Sequence, residues 1–431
     1  MNIREEAAKM RMAAPAMAAC SIEKRNLALR LIAEKLEASK DDIFAANALD
    51  MEAAKEKGIA QAVQKRLKYD EGKLKDSIAG LNGLAELEDP VGRVTLKREL
   101  DEGLILQRVT VPIGVIGVIF EARPDAMVQV ASLCIKSGNC AILKGGKETA
   151  NSNRVLFGLI KECALKAGLP EGCLVQAELH NEIDELLKCD SEVDLLIPRG
   201  SNAFVRHIME NTKIPVMGHS SGICHIYVDK AFDEEMAVNT IIDAKIQYPA
   251  ACNAVETLLV KREIAGSFLP VMAKAFIGAG VSVKGNAEVN RILSANGIVP
   301  GDEMADDEFA KEYNDMAVSV KLVEDVKEAV DHINRFGSHH TDSIITNDPE
   351  AEKYFTSMVD SAGVYVNCST RFADGYRYGF GAEVGISTGK LHARGPVGLD
   401  GLVTYKYVLK GNGHIVGDYA SGKKQFRHKD L

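Results

Sequence analysis

The rhythm of apolar and polar positions changes along the chain, and each change predicts a different kind of element. Residues 1–90 are Ala-rich and read as helical. In CSIEKRNLALRLIAEKLEASKDDIFAAN, Leu27, Leu31, Ile32 and Leu36 recur at helical spacing with charges opposite, which predicts an amphipathic helix. Asp89-Pro90 closes this region. In RVTLKRELDEGLILQRVTVPIG, two runs rich in Val, Leu and Thr flank Asp101-Glu102-Gly103, predicting a hairpin over 94–111 with Gly at its turn. LVTYKYVLKGNGHIVGDY, near the other end, is again strand-like. Edges of such strands need cover, from the same chain or from a second subunit.

Between about 111 and 228 the pattern alternates. VIGVIF, CAILKGG, CLVQAEL and VDLLIPRG read as buried strands, separated by helices such as DAMVQVASLCIKSG and TANSNRVLFGLIKECALKAGLP. Apolar strands alternating with amphipathic helices imply a parallel sheet covered on both faces, with ligand loops after Phe120, Leu143 and Ile197. From about 229 to 360 the style repeats through ETLLVKR, GVSVKG, MAVSVKLV and DSIITND. The fold class is therefore α/β, divided as a first domain over 1–228 that carries the 94–111 hairpin, a second over 229–365, and a return segment over 366–431.

Composition narrows the function. The 431 residues carry a formal net charge of −9, which argues against nonspecific nucleic-acid binding while leaving room for a local basic pocket. The nine cysteines show neither a CxxC pair nor a metal-type spacing with histidine, so no metal site is expected and a reducing compartment is. The longest strongly apolar stretch, Val109–Phe120, is too short to span a bilayer, and the first residues lack the apolar core of a signal peptide, so the cytoplasm is the expected location. His339-His340 has no acidic cluster beside it and reads as solvated or supporting.

Three places can carry chemistry. Cys252, in YPAACNAVETLLV, has small neighbours that let a carbonyl approach its sulfur and offer N–H groups to an oxyanion; as a bare cysteine it reads equally as a small buried hydrophobe. CAILKGGKETAN sets Lys144 and Lys147 around Gly145-Gly146 at a strand-to-helix junction, where lysines can pair with a phosphate. LIPRGSNAFVRHI sets Gly200 and Ser201 at a second such junction. Glu121 and Arg123 follow a buried strand and face either the ligand crevice or each other as a surface ion pair. No Walker loop, HExxH or serine elbow is present, and GFGAEVG does not fit GxGxxG.

The segments VPIGVIGVIFEARPDAMVQVASLCIKSGNCAILKGGKE, IPVMGHSSGICHIYVD, IQYPAACNAVETLLV, AVDHINRFGSHHTDSIIT and STRFADGYRYGFGAEVGISTGKLHARGPVGLDGLVTYKYVLKG resemble the aldehyde dehydrogenase superfamily, and within it the branch that reduces an acyl phosphate of glutamate. The resemblance runs over about 111–411. It implies a Rossmann-type cofactor domain, an α/β catalytic domain and a β-hairpin oligomerisation element, in a homodimer or homotetramer. It puts Cys252 at the nucleophile position, with Asn253 beside it and Arg123 near the oxyanion donor of the hydrolytic relatives. It puts Lys144, Gly145, Lys147, Gly200, Ser201 and Glu312 at the NADP(H) site. Glu121, Arg371 and Lys390 become candidates for gripping the substrate.

The implied reaction is NADPH-dependent reduction of gamma-glutamyl phosphate to glutamate 5-semialdehyde with release of phosphate, in proline biosynthesis. Glutamate kinase is the implied possible partner. Where hydrolytic relatives carry a water-activating glutamate, this chain reads Val216-Met217-Gly218-His219, as a phosphate-linked enzyme should. A CoA-acylating enzyme also lacks that base, and a kinase-binding paralogue without activity is the other alternative. Phe336 stands where the family motif usually has His or Tyr.

Overall fold

The computed structural model describes residues 2–431 apart from His180, Ser220 and Asp302, and not the side chains of Ala62 and Asp306. The chain forms two compact units, one of Met1–Met217, Phe380–Gly385 and Val397–Leu431, the other of Gly218–Gly379 and Ile386–Pro396. No helix among the described residues is long and apolar enough to cross a membrane.

The first unit opens with helices Ile3–Ala18, Ile22–Ala38, Lys40–Glu56, Gln61–Leu67 and Glu71–Glu86. Helix Ile22–Ala38 buries Arg25, Ala28, Leu29, Ile32, Ala33 and Leu36, a stripe at i, i+3 and i+4 spacing, whereas Leu27 is 45% exposed. The apolar face is thus rotated from the one predicted. Arg25 can join it because its guanidinium is paired, with Nη2 donating to Asp89 at 2.7 Å and Nε to the Cys20 carbonyl at 3.1 Å.

Strands β1 (Val94–Asp101) and β2 (Leu104–Pro112) form the predicted hairpin, with Gly103 at φ 73° in its turn. The other edge of β2 is covered from within the chain by Val403–Lys410, antiparallel from Val403↔Pro112 to Lys410↔Ile105. Tyr405, Tyr407 and Leu409 of that outer strand remain exposed.

Beyond the hairpin come β3 (Val115–Phe120), β4 (Cys140–Gly145), β5 (Leu174–Ala177) and β6 (Leu195–Arg199), in a parallel sheet of order β5-β4-β3-β6. β3 and β4 are buried throughout, as continuous apolar runs require in a sheet covered on both faces. The strand order reverses at β3, so the carboxyl ends of β3 and β6 border a crevice of the kind that binds ligands in such sheets.

The second unit holds a six-stranded parallel sheet of β7 (Cys224–Val228), β8 (Val255–Lys261), β9 (Ser282–Gly285), β10 (Ala317–Val323), β11 (Thr341–Ile345) and β12 (Gly363–Val366). Its order is β12-β11-β7-β8-β10-β9. β7 pairs with β8 and β11, so this sheet begins before residue 229. Successive side chains alternate between two cores. Ile226 and Val228 pack with Leu258, Phe268, Met272 and Phe276 on one face, while Tyr227 packs with Leu259, Ile333, Ile344 and Phe355 on the other.

Candidate active site

In the first unit, the predicted cofactor residues gather at the carboxyl ends of β3, β4 and β6. Glu121 follows β3, and its Oε2 accepts from the Ser201 N–H at 2.9 Å. Gly200 admits this approach: a Cβ there would lie 2.5 Å from that same oxygen and 2.7 Å from Phe204. Helix Asn202–Glu210 begins directly after Ser201, so a helix N-terminus and a bared N–H already face an anionic oxygen. Ala122 is held at φ 48°, in the left-handed region, with its N–H donating to Glu148 Oε1 at 2.7 Å. Lys144 is buried and its Nζ donates to the Gly145 carbonyl at 2.6 Å; burial holds its pKa below the usual lysine value. Lys147 and Arg123 are exposed. A glycine-lined strand end, a helix N-terminus and two lysines fit the phosphates of a dinucleotide, and these are the residues that would hold one.

In the second unit, a different set of groups converges at the amino ends of three adjacent strands. His219 precedes β7, Cys252 precedes β8 and His340 immediately precedes β11, and the sheet places these strands side by side as β11-β7-β8. His340 Nε2 lies 3.2 Å from Cys252 Sγ. The rings of His219 and His340 meet edge to face, with centroids 5.0 Å apart. The ring donors of both histidines and Cys252 Sγ all lie within 4.8 Å of one another. His340 is fully buried, so of its two sequence readings, solvated or supporting, the solvated one falls. The residue before it, His339, takes φ 58° and its Nδ1 donates to the Asp360 carbonyl at 2.6 Å. A side chain in the left-handed region is uncommon and persists where its surroundings hold it.

The loop around Cys252 is tightly held. Cys224 Sγ donates to the Cys252 carbonyl at 3.4 Å. Gly222 packs so close that a Cβ would lie 2.1 Å from that carbonyl oxygen. Asn253 is buried; its Nδ2 donates to the Ala373 carbonyl at 2.9 Å, while its own carbonyl accepts from Thr370 Oγ1 at 2.7 Å. Arg371 is buried too, with Nε donating to Gln247 Oε1 at 2.9 Å and its guanidinium 6.0 Å from the centre of the Tyr248 ring. Burial, then the nearby Arg377, lowers its pKa.

Lys245 and Glu256 flank the loop and form a wholly buried ion pair at 3.1 Å. Glu256 also accepts from the Asn314 N–H at 3.3 Å, steadying the segment that carries Glu312. Lys390 lies elsewhere in this unit, exposed and bonded to Asp360 at 2.6 Å. Thus the unit brings Cys252, Asn253 and Arg371 together, adds His219 and His340, and sets Lys390 against Asp360, a carboxylate it shares with Arg394.

Residues 1–287 match the aldehyde dehydrogenase family, and the chain belongs to it. Among its relatives, gamma-glutamyl phosphate reductase of Acetivibrio thermocellus is 51% identical over 431 residues, covering 100% of this chain and 99% of that one. The protein of the same name from Methanosarcina barkeri is 50% identical over 436 residues, covering 100% and 98%. The crystal structure of gamma-glutamyl phosphate reductase from Thermotoga maritima superposes with a TM-score of 0.93 at 38% identity, covering 96% of this chain and all of that one. An acetylating aldehyde dehydrogenase from Geobacillus thermoglucosidasius shares the fold, with a TM-score of 0.64 at 16% identity.

Proposed function

We infer that this protein reduces L-glutamyl 5-phosphate to L-glutamate 5-semialdehyde with release of phosphate, the second step of proline biosynthesis from glutamate. The observation that carries the chemistry is the Cys252–His340 pair. A free thiol is mostly protonated at neutral pH, and an imidazole nitrogen at hydrogen-bond distance is a proton acceptor for it. The thiolate attacks the acyl carbon, phosphate leaves, and a thioester forms on Sγ. The Cys252 N–H and the surrounding small residues receive the oxyanion.

Reduction of that thioester takes its hydride from the nicotinamide, which is all the chemistry asked of the cofactor. The thiohemiacetal then collapses, and the thiolate recovers its proton from His340. Asn253 acts by fixing the nucleophile loop to the 370–373 segment. Arg371, buried beside that loop with Nε already tied to Gln247, is positioned to grip an acidic group of the substrate through its other nitrogens. Arg123 is the further candidate for the oxyanion, and Lys390 for the substrate. No carboxylate occupies 216–219, so hydride reaches the thioester without a competing water-activating base.

The aldehyde dehydrogenase family uses NAD or NADP. For this chain we assign NADP(H), supported by the basic pair Lys144/Lys147 and with Glu312 holding the nicotinamide ribose. The apolar outer strand Val403–Lys410 supports assembly into a homodimer or homotetramer. A labile acyl phosphate favours a cytoplasmic enzyme that takes its substrate from glutamate kinase.

The test is the reverse reaction, NADP reduction with glutamate semialdehyde, run with phosphate, with CoA and with neither. Rate confined to the phosphate arm is expected. Rate without phosphate would mean that water cleaves the thioester, and rate confined to CoA would make this an acyl-CoA enzyme.

A further inference from the structure

His219 has no part in the reaction just described, yet it completes a set of donors around the nucleophile. His219 Nδ1 donates to the Ile386 carbonyl at 2.9 Å, which leaves the lone pair on Nε2. His340 Nδ1 stands 3.0 Å from Thr341 Oγ1, a hydroxyl able to accept its proton, and in that tautomer Nε2, the atom facing Cys252 Sγ, holds the lone pair that a metal needs. Each imidazole is thus oriented through its second nitrogen, as metal-ligating histidines are.

We propose that His219, Cys252 and His340 form a site of one thiolate and two imidazoles for a zinc-like divalent cation, and that its occupation reversibly blocks the nucleophile. The donors lie within 4.8 Å of one another. Zinc bonds of about 2.0–2.3 Å in a tetrahedron call for donor separations of roughly 3.5 Å. The His340–Cys252 edge, at 3.2 Å, is already close to that. Cys252 and His340 lie just ahead of β8 and β11, and Gly222 packs against the Cys252 carbonyl, so these two donors are held by the sheet. Cys252 and His219 are half-buried, which leaves one side open for a water as fourth ligand.

Such a donor set suits zinc or cobalt and is a poor one for magnesium or calcium. On binding, Cys252 gives up its proton to solvent, the Sγ–His340 hydrogen bond breaks, and three metal–ligand bonds form. No electrons move. Attack on an acyl carbon is then impossible until the cation leaves.

The experiment uses the full chain without substrate, so its outcome is independent of the reaction assigned above. Zinc is titrated against a chromophoric chelator, and cobalt is followed by its thiolate-to-metal charge-transfer band. One zinc per chain is expected, with the cobalt band present. Zinc, but not magnesium, should protect Cys252 of the unmodified protein from alkylation, read by peptide mass spectrometry and reversed by a chelator. His219→Ala should weaken zinc at least tenfold, about the least that loss of even an outer-shell partner costs a metal site. Cys252→Ser should abolish the cobalt band. The proposal is overturned if the unmodified protein shows no thiolate band, if zinc does not protect Cys252, or if His219→Ala binds zinc as tightly as the parent.

Discussion

His340 and Cys252 lie 88 positions apart in the chain and 3.2 Å apart in space. Neither a helix turn nor a hairpin makes that contact. It follows from the order of the sheet, in which β7 separates β11 from β8 and all three strands present their amino ends together. General-base partners of this kind typically contribute about 10²–10⁴-fold. Replacing His340 by Gln, which retains a polar side chain of similar reach, should therefore lower kcat for reduction by about that factor. It should also slow alkylation of Cys252 at neutral pH in the absence of substrate. Unchanged alkylation would remove His340 from the proton-accepting role.

Gly222 is the point where one more carbon would press on Cys252. Its Cβ would stand 2.1 Å from the Cys252 carbonyl oxygen, a backbone atom that can yield only by moving the loop. Gly222→Ala should lower kcat by about 10²-fold, the cost of a misplacement near 1 Å. Overpacking of this sort costs about 1–3 kcal/mol in stability. Thermal unfolding and steady-state rates check both, and a variant with parental kcat would show that the loop accommodates the carbon.

His332 is a buried imidazole whose Nδ1 stands 3.2 Å from Lys321 Nζ and whose Nε2 has no hydrogen-bond partner among the described residues. Burial, then the neighbouring His225, Lys321 and Arg335, pushes its pKa down from 6.5 to about 2. A histidine with a depressed folded pKa takes up its proton more readily when unfolded. Its contribution is whole above pH 6.5 and is lost progressively as pH falls below that value towards 2. The loss amounts to about 2 kcal/mol at about pH 5. His332→Phe, set among Phe309 and Phe336, should flatten the fall of unfolding free energy between about pH 6 and 4 by nearly one proton. Parallel pH profiles for the two proteins would contradict this.

Lys245 and Glu256 are a buried pair, and burial pushes the carboxyl up to about 7. Lys245→Met leaves that carboxyl unpaired and should cost about 3–5 kcal/mol. The double variant Lys245→Met with Glu256→Leu should recover most of the loss in denaturant titrations. If the double variant is as unstable as the single one, the pair matters through its bond to the Asn314 N–H rather than through its charge.

Much of the framework was legible in the residues. The hairpin around Gly103, the strands VIGVIF and CAILKGG and the loops they feed follow from period and turn chemistry, which act over a few positions. What escaped is what depends on partners distant in sequence. Arg25 takes a place on the apolar stripe of its helix because Asp89 and the Cys20 carbonyl meet it there. His340 reads as solvated or supporting until the sheet order is known, and His219 reads only as the absence of a glutamate. Cys224–Val228, placed in the first domain by the boundary drawn at 228, pairs instead in the second sheet. Periodicity says that a strand exists and nothing about which neighbour it will take.

The strand Val403–Lys410 closes the edge of β2, yet it follows β2 in the chain only after the whole of Gly218–Gly379. A chain leaving the ribosome exposes β2 while the whole of Gly218–Gly379 is still being synthesised, and only then receives the strand that pairs with it. The second unit is nearly continuous in sequence and can fold as it emerges. The first must hold an unpaired edge open throughout. A chain interrupted before Val403 would therefore carry β2 as a bare, aggregation-prone edge, so the hazard lies in the interval of synthesis that separates the two paired strands.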